Sequence, residues 1–159
     1  MKLYFANGLF SQADFNYNQA LVARLRQALP ALDIYLPQEN AAINDKQAYA
    51  DAKMIAQADT DEVLASDLMI AVLDGPVIDA GVASEIGVAY AKGIPILGLY
   101  TDSRQQGAGN AKKLAALAEI AENQFAYLNL YTVGLIKLNG AVYNTEDALI
   151  ADLRARLEA

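Results

Sequence analysis

Short apolar runs alternate with longer amphipathic segments along most of the chain. The apolar runs predict four strands, at Leu3–Ala6, Leu32–Leu36, Leu68–Leu73 and Ile94–Tyr100. The last two runs are apolar almost throughout, which is typical of strands buried on both faces of a parallel sheet. Helical spacing predicts helices at about Asp14–Leu29, Asp45–Ala65 (one bent helix or two), Ala80–Lys92, Ala111–Ala121 and Thr145–Leu157. This alternation predicts an α/β domain with a mostly parallel sheet.

Three residues at the ends of these segments favour particular helix boundaries. Thr145 and Asp79 each precede a helical segment and are favoured N-cap types, and Gly93 ends the segment that follows Asp79. Asp59 and Asp61 in QADTDEVL are expected at a helix start, where acidic side chains complement the helix dipole. The segment Tyr127–Leu138 is ambiguous, because its residue types favour a strand.

The composition narrows the possible chemistry. The 159 residues match the size of one domain, and 55% of them are hydrophobic, which allows a sizeable core and excludes intrinsic disorder. There is no cysteine and no histidine, so disulfides, a thiol nucleophile and the commonest general base and metal ligand are all missing. Catalysis must then depend on carboxylates, amides and hydroxyls, and we expect no metal and no cofactor.

Charge and hydropathy bear on partners and location. The net charge of −7 would repel phosphate backbones, so nucleic-acid binding is not expected. No apolar run approaches the roughly 20 residues of a membrane-spanning helix. The start MKLYFANGLF lacks the extended apolar region of a signal peptide, so a cytoplasmic protein without membrane contact is expected.

The stretch after the third predicted strand, DGPVIDAGVASEIG, is the most informative for chemistry. In parallel α/β sheets, ligands bind beyond the carboxyl ends of the strands, where this stretch lies. Val82, Ile86 and Ala89 form an apolar stripe on the following helix, and Glu85 falls on that stripe. A carboxylate there must be paired, solvated in a cleft or protonated. Its position is equally compatible with a side chain that reaches the surface at the edge of the stripe.

The other candidate residues have ordinary structural explanations when taken singly. Asp79 is explained as an N-cap, Asp59 as a first-turn acid and Tyr4 as a core residue. Gly81 would allow a ligand to approach the backbone, but one glycine is weak evidence. Together, several carboxylates near one sheet edge, with no GxGxxG or Walker sequence, favour glycosyl transfer through paired carboxylates.

Five segments of the chain resemble the nucleoside 2-deoxyribosyltransferases, which are small enzymes with a flavodoxin-like fold. The segments are YFANGLF at the start, YLPQEN (Tyr35–Asn40), QADTDEV, DAGVASEIG (Asp79–Gly87) and YLNLYTVGL (Tyr127–Leu135). The resemblance implies a doubly wound, mostly parallel five-stranded sheet flanked by helices, in a single domain over residues 1–159. It also implies a helix over Asn129–Leu138 in place of the strand that propensity favours.

The resemblance implies a role for most of the candidate residues. Glu85 matches the nucleophile that attacks C1′ of deoxyribose, Asp59 the acid that protonates the leaving base, and Tyr4 the tyrosine that orients the nucleophile. The remaining matches concern substrate binding: Asp79 near the 5′ end of the sugar, Phe10 beside the base, Gly81 in the same motif, and Asn129 donated by a neighbouring subunit. The implied partners are deoxynucleosides, free nucleobases and further copies of the chain, as dimers and possibly hexamers.

Two departures from the family pattern affect the prediction. Ala41 stands where some members have a base-contacting glutamine, so Gln38 or Glu39 is expected to substitute. An Ala-rich segment at Asn110–Asn123 and a helix after Gly140–Tyr143 extend the chain beyond short family members. For that reason, the site role of the terminal carboxylate in some members is not carried over.

Two alternatives remain open at this point. A 2′-deoxynucleoside 5′-phosphate N-glycosidase would share the fold and the nucleophile, although Asp79 beside the 5′ oxygen would repel a phosphate dianion. A non-catalytic flavodoxin-like binding module would need an acidic pocket and a partner lysine, and Asn7 and Thr101 do not complete that set.

Overall fold

The computed structural model describes residues 1–44 and 49–158. Its strands are Lys2–Ala6 (β1), Asp33–Tyr35 (β2), Leu68–Val72 (β3), Ile96–Leu99 (β4) and Gly140–Tyr143 (β5). They form one parallel sheet in the order β2-β1-β3-β4-β5, which is the flavodoxin-like order. The predicted α/β class is therefore confirmed. The strand order reverses direction between β1 and β3, which is the switch point where ligands bind in such sheets.

Seven α-helices flank the sheet in the part of the chain that the structure describes. They are Gln12–Ala28 (α1), Ala41–Asn44 (α2), Ala52–Leu64 (α3), Ala80–Lys92 (α4), Ala111–Ala115 (α5), Leu130–Leu138 (α6) and Glu146–Glu158 (α7). None of these helices combines the length and the apolar character that crossing a membrane requires.

The side chains of β1 alternate between two apolar clusters, one on each face of the sheet. Leu3 and Phe5 pack with α1 and α7, whereas Tyr4 and Ala6 pack with α3, α4 and α6. All four are almost completely buried. Because strand side chains alternate, adjacent residues of one strand serve two different layers.

Several predicted helix boundaries are confirmed by their caps. The Asp79 side chain accepts hydrogen bonds from Gly81 N and Val82 N at the start of α4, and Gly93 ends that helix at a φ of 79°. The Thr145 hydroxyl accepts from Ala148 N at 3.2 Å before α7. The helix implied at Asn129–Leu138 is also present, with Asn129 as its N-cap.

The predicted helix at Asp45–Ala65 needs correction. Residues 45–48 lie outside the described part of the chain, and α3 begins at Ala52 because the Asp51 side chain accepts from Met54 N at 2.8 Å. Asp59 and Asp61 therefore lie in the second half of α3, and their predicted place at a helix start is wrong. Asp51 performs the capping role instead.

The predicted helix at Ala111–Ala121 is too long. The α-helix ends at Ala115, a short 3₁₀ turn follows at Ala116–Ala118, and Ala121 has a φ of 66°. Most side chains of this segment are exposed, so no apolar face is buried to stabilise a longer helix.

The strand at the β5 edge has no counterpart among the four apolar runs of the sequence. Gly140–Tyr143 is only four residues long and half-exposed, so it lacks the continuous apolar pattern of a central strand. A Cβ at Gly140 would lie 1.8 Å from the Ile96 carbonyl oxygen, so only glycine fits where β5 begins beside β4.

Candidate active site

Glu85 and Tyr4 form the centre of the candidate site. Val82, Ile86 and Ala89 are buried against the sheet, which turns Glu85 on α4 towards β1. The Tyr4 hydroxyl donates a hydrogen bond to Glu85 Oε1 at 2.7 Å. The glutamate on the apolar stripe is therefore held by a core residue and does not extend freely into solvent.

The surroundings of this pair favour a proton on both groups. Burial raises the pKa of Glu85 to about 7, and the Asp59 and Asp79 carboxylates add to that rise, while the hydrogen bond from Tyr4 opposes it. Burial and the Glu85 and Asp59 carboxylates raise the pKa of Tyr4 far above its ordinary value. Tyr4 thus remains a hydrogen-bond donor, while Glu85 is divided between its ionised and protonated forms near neutral pH.

Asp59 lies across a cavity from α4. The cavity has a volume of about 390 Å³ and separates α3 from α4. Its walls are mostly apolar, and they include Ala52, Ile55, Ala56, Asp59, Thr60, Val63, Gly81, Ser84, Glu85 and Val88. Burial raises the pKa of Asp59 above its ordinary value, so this carboxyl retains its proton more readily than an exposed aspartate.

The start of α4 brings two further predicted residues to the same place. The Asp79 carboxylate is near enough to Glu85 to raise the pKa of Glu85. The Asp79 Oδ1 atom also accepts both of the hydrogen bonds that cap the helix. Gly81 lines the cavity, and a Cβ there would lie 3.0 Å from Asp79 Oδ1. The N-cap explanation of Asp79 is therefore correct, and it is compatible with a position beside the site.

Gln38, in the turn after β2, belongs to a network of hydrogen-bonded amides that also includes α1 and the loop after β1. Its Oε1 accepts from Asn18 Nδ2 at 3.0 Å, and its Nε2 donates to the Phe15 carbonyl at 3.3 Å. Asn18, which is 1% exposed, also bonds Asn7 and the Gly8 carbonyl, so the loop after β1 is fixed by the same network. The Gln38 amide is thus oriented by the protein before any ligand is considered.

Glu39, the other predicted substitute for a base-contacting glutamine, is engaged elsewhere. Both of its carboxylate oxygens accept from Arg26, at 2.9 and 2.7 Å. This bidentate ion pair ties the turn after β2 to α1. Of the two candidates, Gln38 is the one without a charged partner.

Phe10 and Asn129 lie apart from the cavity between α3 and α4. Phe10 is 82% exposed in the loop between β1 and α1. Asn129 is exposed at the start of α6, where its Oδ1 accepts from Tyr131 N and Thr132 N, and it borders a separate cavity of about 250 Å³. The structure therefore brings together Tyr4, Asp59, Asp79, Gly81 and Glu85, and it does not bring Phe10 or Asn129 into the same cavity of one chain.

A family model described as nucleoside 2-deoxyribosyltransferase matches residues 3–149. The chain belongs to this family. The resemblance seen in the five sequence segments is thereby confirmed.

Solved structures agree on the fold of this deoxyribosyltransferase family member. A conserved protein from Enterococcus faecalis V583 is 70% identical, with 98% of each chain covered and a TM-score of 0.93. A 2-deoxyribosyltransferase from Bacillus psychrosaccharolyticus is 17% identical, with 94% of this chain and 90% of that chain covered and a TM-score of 0.64. A CMP N-glycosidase from Clostridium botulinum is also 17% identical, with 98% and 99% covered and a TM-score of 0.53. Among curated protein sequences, none matches significantly.

Two residues of this family member that sequence reasoning did not single out lie beside the predicted ones. Tyr35 stacks on Tyr4 with ring centroids 5.6 Å apart, and Asn18 orients Gln38. Tyr35 stands in the YLPQEN segment, so the motif contained a signal for it. Asn18 gave none, because an asparagine within an amphipathic helix is ordinarily an exposed polar residue.

Proposed function

We propose that this chain transfers 2-deoxyribose from one nucleobase to another through a covalent intermediate on Glu85. The observation that carries the proposal is the Tyr4–Glu85 hydrogen bond of 2.7 Å beside a cavity that also contains Asp59. A nucleophilic carboxylate and a proton-donating carboxyl on one cavity are the two groups that a retaining glycosyl transfer requires. Membership of the nucleoside 2-deoxyribosyltransferase family supports deoxyribose and a nucleobase as the two parts of the substrate.

In the first displacement, a Glu85 carboxylate oxygen attacks C1′ of the deoxyribose. The bond from C1′ to the base nitrogen breaks, its electron pair leaves with the base, and the base takes a proton from Asp59. The raised pKa of Asp59 favours the protonated form that this step uses. Tyr4 keeps the attacking carboxylate in one orientation, which reduces the loss of entropy on reaching the transition state.

In the second displacement, a new base attacks C1′ from the side that the first base left. The C1′–oxygen bond to Glu85 breaks, the carboxylate is regenerated, and the proton lost by the incoming base returns to Asp59. Two inversions at C1′ restore the original configuration. The mostly apolar walls of the cavity disfavour binding of water beside C1′, which favours transfer to a base over hydrolysis.

Other residues are proposed to bind the two ends of the nucleoside. Asp79, coupled to Glu85 at the start of α4, is assigned to the 5′ side of the sugar, with Gly81 giving the substrate access to the backbone. Phe10 and Gln38, at the carboxyl ends of β1 and β2, are assigned to the base. The roles of Asp79, Gly81 and Phe10 follow the family motif. Gln38 is proposed as a substitute for the base-contacting glutamine that Ala41 replaces.

Asn129 is proposed to act in the site of a neighbouring subunit. It is exposed, and its neighbours Tyr127, Leu130 and Tyr131 are 68%, 84% and 77% exposed, an apolar surface that suits contact with another copy. Mixing Asn129→Ala subunits with Glu85→Ala subunits should then restore part of the activity that each variant lacks. No recovery after subunit exchange would contradict a shared site.

Exchange of bases between thymidine and adenine tests the proposed reaction. Wild-type protein should produce deoxyadenosine and thymine, which chromatography separates, and Glu85→Ala should produce neither. Release of free deoxyribose without deoxyadenosine would indicate a hydrolase instead, and no turnover would indicate a binding module.

Trapping tests the covalent intermediate itself. A 2-deoxy-2-fluoroarabinosyl nucleoside should leave its sugar on Glu85, because the electron-withdrawing fluorine slows breakdown of the intermediate by destabilising positive charge at C1′. Mass spectrometry of peptides locates the adduct. An adduct on another residue would overturn the assignment of Glu85.

A further inference from the structure

We propose that Tyr35 is a positioning residue of the active site, because its ring supports Tyr4 and thereby keeps the Tyr4 hydroxyl on Glu85. This inference rests on the proposed function, in which Glu85 is the nucleophile. Tyr35 touches neither the cavity between α3 and α4 nor Glu85 in the contacts described, so its effect passes through Tyr4.

The register of the sheet places the two tyrosines side by side. β1 and β2 are parallel, and Tyr4 pairs with Tyr35, so both side chains leave the sheet on the same face. Their rings are 5.6 Å apart between centroids and 24° from parallel. A stacked ring on the β2 side blocks Tyr4 from swinging away from α4.

Tyr35 is itself held from the loop that follows β2. Asn40 Nδ2 donates to the Tyr35 hydroxyl at 2.9 Å, while Asn40 Oδ1 accepts from Ala42 N at the start of α2. A continuous series of contacts thus leads from the start of α2 through Asn40, Tyr35 and Tyr4 to Glu85. Each contact restricts the rotation of the next side chain.

The hydrogen bond at the end of this series affects the ionisation of Glu85. Among the described residues, the groups that influence the Glu85 carboxyl are Tyr4 from β1, Asp59 from α3 and Asp79 from the start of α4. Of these three, Tyr4 is the one that lowers its pKa. Around Tyr35 the charged groups are Asp59, Glu62 and Lys2. If Tyr4 loses its support, its hydrogen bond weakens and the pKa of Glu85 rises above about 7.

The test compares variants by the titration of Glu85 and by the pH dependence of exchange. In Tyr35→Leu, which removes the ring, the acidic limb of the kcat/KM profile should move up by about half to one pH unit. The loss should then be roughly 2- to 5-fold at pH 7 and should shrink to less than about 1.5-fold at pH 8.5. Tyr35→Phe keeps the stacked ring and loses only the hydrogen bond from Asn40, so it should move the limb no further than Asn40→Ala does. A merely structural role would lower activity equally at all pH values.

Tyr17→Leu is the matched control. Tyr17 is also half-buried, packs against the cluster on the opposite face and donates from its hydroxyl to a glutamate, Glu146. It should leave the acidic limb in place. Asn40→Ala provides a second variant, with a smaller shift in the same direction, if Tyr35→Leu fails to fold.

Titration of the Glu85 carboxyl by carbon-13 NMR in the protein without substrate separates this inference from the proposed function. A raised Glu85 pKa in Tyr35→Leu but not in Tyr17→Leu supports the positioning role even if the wild type exchanges no bases. An unchanged Glu85 titration in both Tyr35→Leu and Asn40→Ala would overturn it, as would an equal shift in Tyr17→Leu.

Discussion

Two tyrosine–glutamate hydrogen bonds lie on opposite faces of the sheet. The Tyr4 hydroxyl donates to Glu85 at 2.7 Å on the α3–α4 side, and the Tyr17 hydroxyl donates to Glu146 at 3.2 Å on the α1–α7 side. Glu146 also accepts from Arg24 at 2.5 Å, whereas Glu85 has no ion pair among the residues that the structure describes. The same two residue types thus form a neutralised contact between helices in one place. In the other they form a half-buried pair in which the carboxyl has no cation among the described residues.

The difference teaches that the surroundings, more than the hydrogen bond, determine how readily each carboxyl ionises. An adjacent guanidinium satisfies the charge of Glu146 and fixes its role as a link between α1 and α7. Glu85 instead faces Asp59 and Asp79, and burial raises its pKa to about 7. A positive charge that develops on a sugar in the neighbouring cavity would supply the missing cation, so the site is stabilised more in the transition state than when empty.

The largest expected effect comes from removing each glutamate in turn. Glu85→Ala should lower base exchange by about 1,000-fold or more, because the proposed nucleophile is lost. Glu146→Ala loses an exposed ion pair and should leave exchange within about 2-fold of wild type. Steady-state exchange of thymidine and adenine, with circular dichroism to verify folding, measures both. If Glu85→Ala kept more than a few per cent of the rate, the distinction between the two pairs would fail.

Replacing the acidic neighbour of Glu85 should have the next largest effect. Asp59→Asn removes the proposed proton donor and should lower kcat/KM by about 100-fold. It also removes one cause of the raised pKa of Glu85, so the acidic limb of the residual activity should move to lower pH. A pH profile measures both effects. A rate loss without movement of the limb would show that the two carboxyls are not coupled.

Stability as a function of pH provides a third comparison, without any substrate. The pKa of the Glu85 carboxyl is about 7 in the folded chain and 4.5 ordinarily. Its ionisation therefore lowers the free energy of unfolding progressively from pH 4.5 to about 7, and the loss of stability is complete above about pH 7. Glu85→Gln should therefore be more stable than wild type by about 2–3 kcal/mol at pH 8 and equal to it near pH 4. Urea unfolding at the two pH values measures this. Glu146→Gln is the control, and it should be no more stable than wild type at pH 8.

The sequence predicted the part of the site that local pattern determines. The stripe of Val82, Ile86 and Ala89 placed Glu85 correctly on α4, and the residue type before the helix identified the Asp79 cap. The continuous apolar runs predicted the two central strands, β3 and β4. These features depend on the spacing of residues that are close together in the sequence, so the sequence alone is enough to predict them.

What the sequence could not show depends on contacts between distant segments. Asp59 was expected at a helix start, but it lies in the second half of α3, because Asp51 begins the helix eight residues earlier. The stacking of Tyr35 on Tyr4 follows from the register of β1 with β2, which no local pattern specifies. The role proposed for Asn129 would likewise depend on a second copy of the chain, so it remains a prediction.

The smallest expected effect comes from removing each tyrosine hydroxyl. Tyr4→Phe keeps the ring in the core and its stacking on Tyr35 but leaves Glu85 without its donor, so kcat/KM should fall by about 10-fold at pH 7. The acidic limb should move to higher pH, because the hydrogen bond that lowers the Glu85 pKa is gone.

Tyr17→Phe makes the same chemical change on the other face. Glu146 keeps Arg24, so we expect only about 1 kcal/mol less stability and an unchanged pH profile. Measurement of kcat/KM from pH 5 to 9 for both variants decides the matter. If the two substitutions altered the profile alike, the loss would reflect general loosening of the sheet, and the hydroxyl of Tyr4 would have no particular part in setting the charge of Glu85. If only Tyr4→Phe alters it, the same hydrogen bond affects ionisation at Glu85 and not at Glu146, because Arg24 stabilises the Glu146 carboxylate.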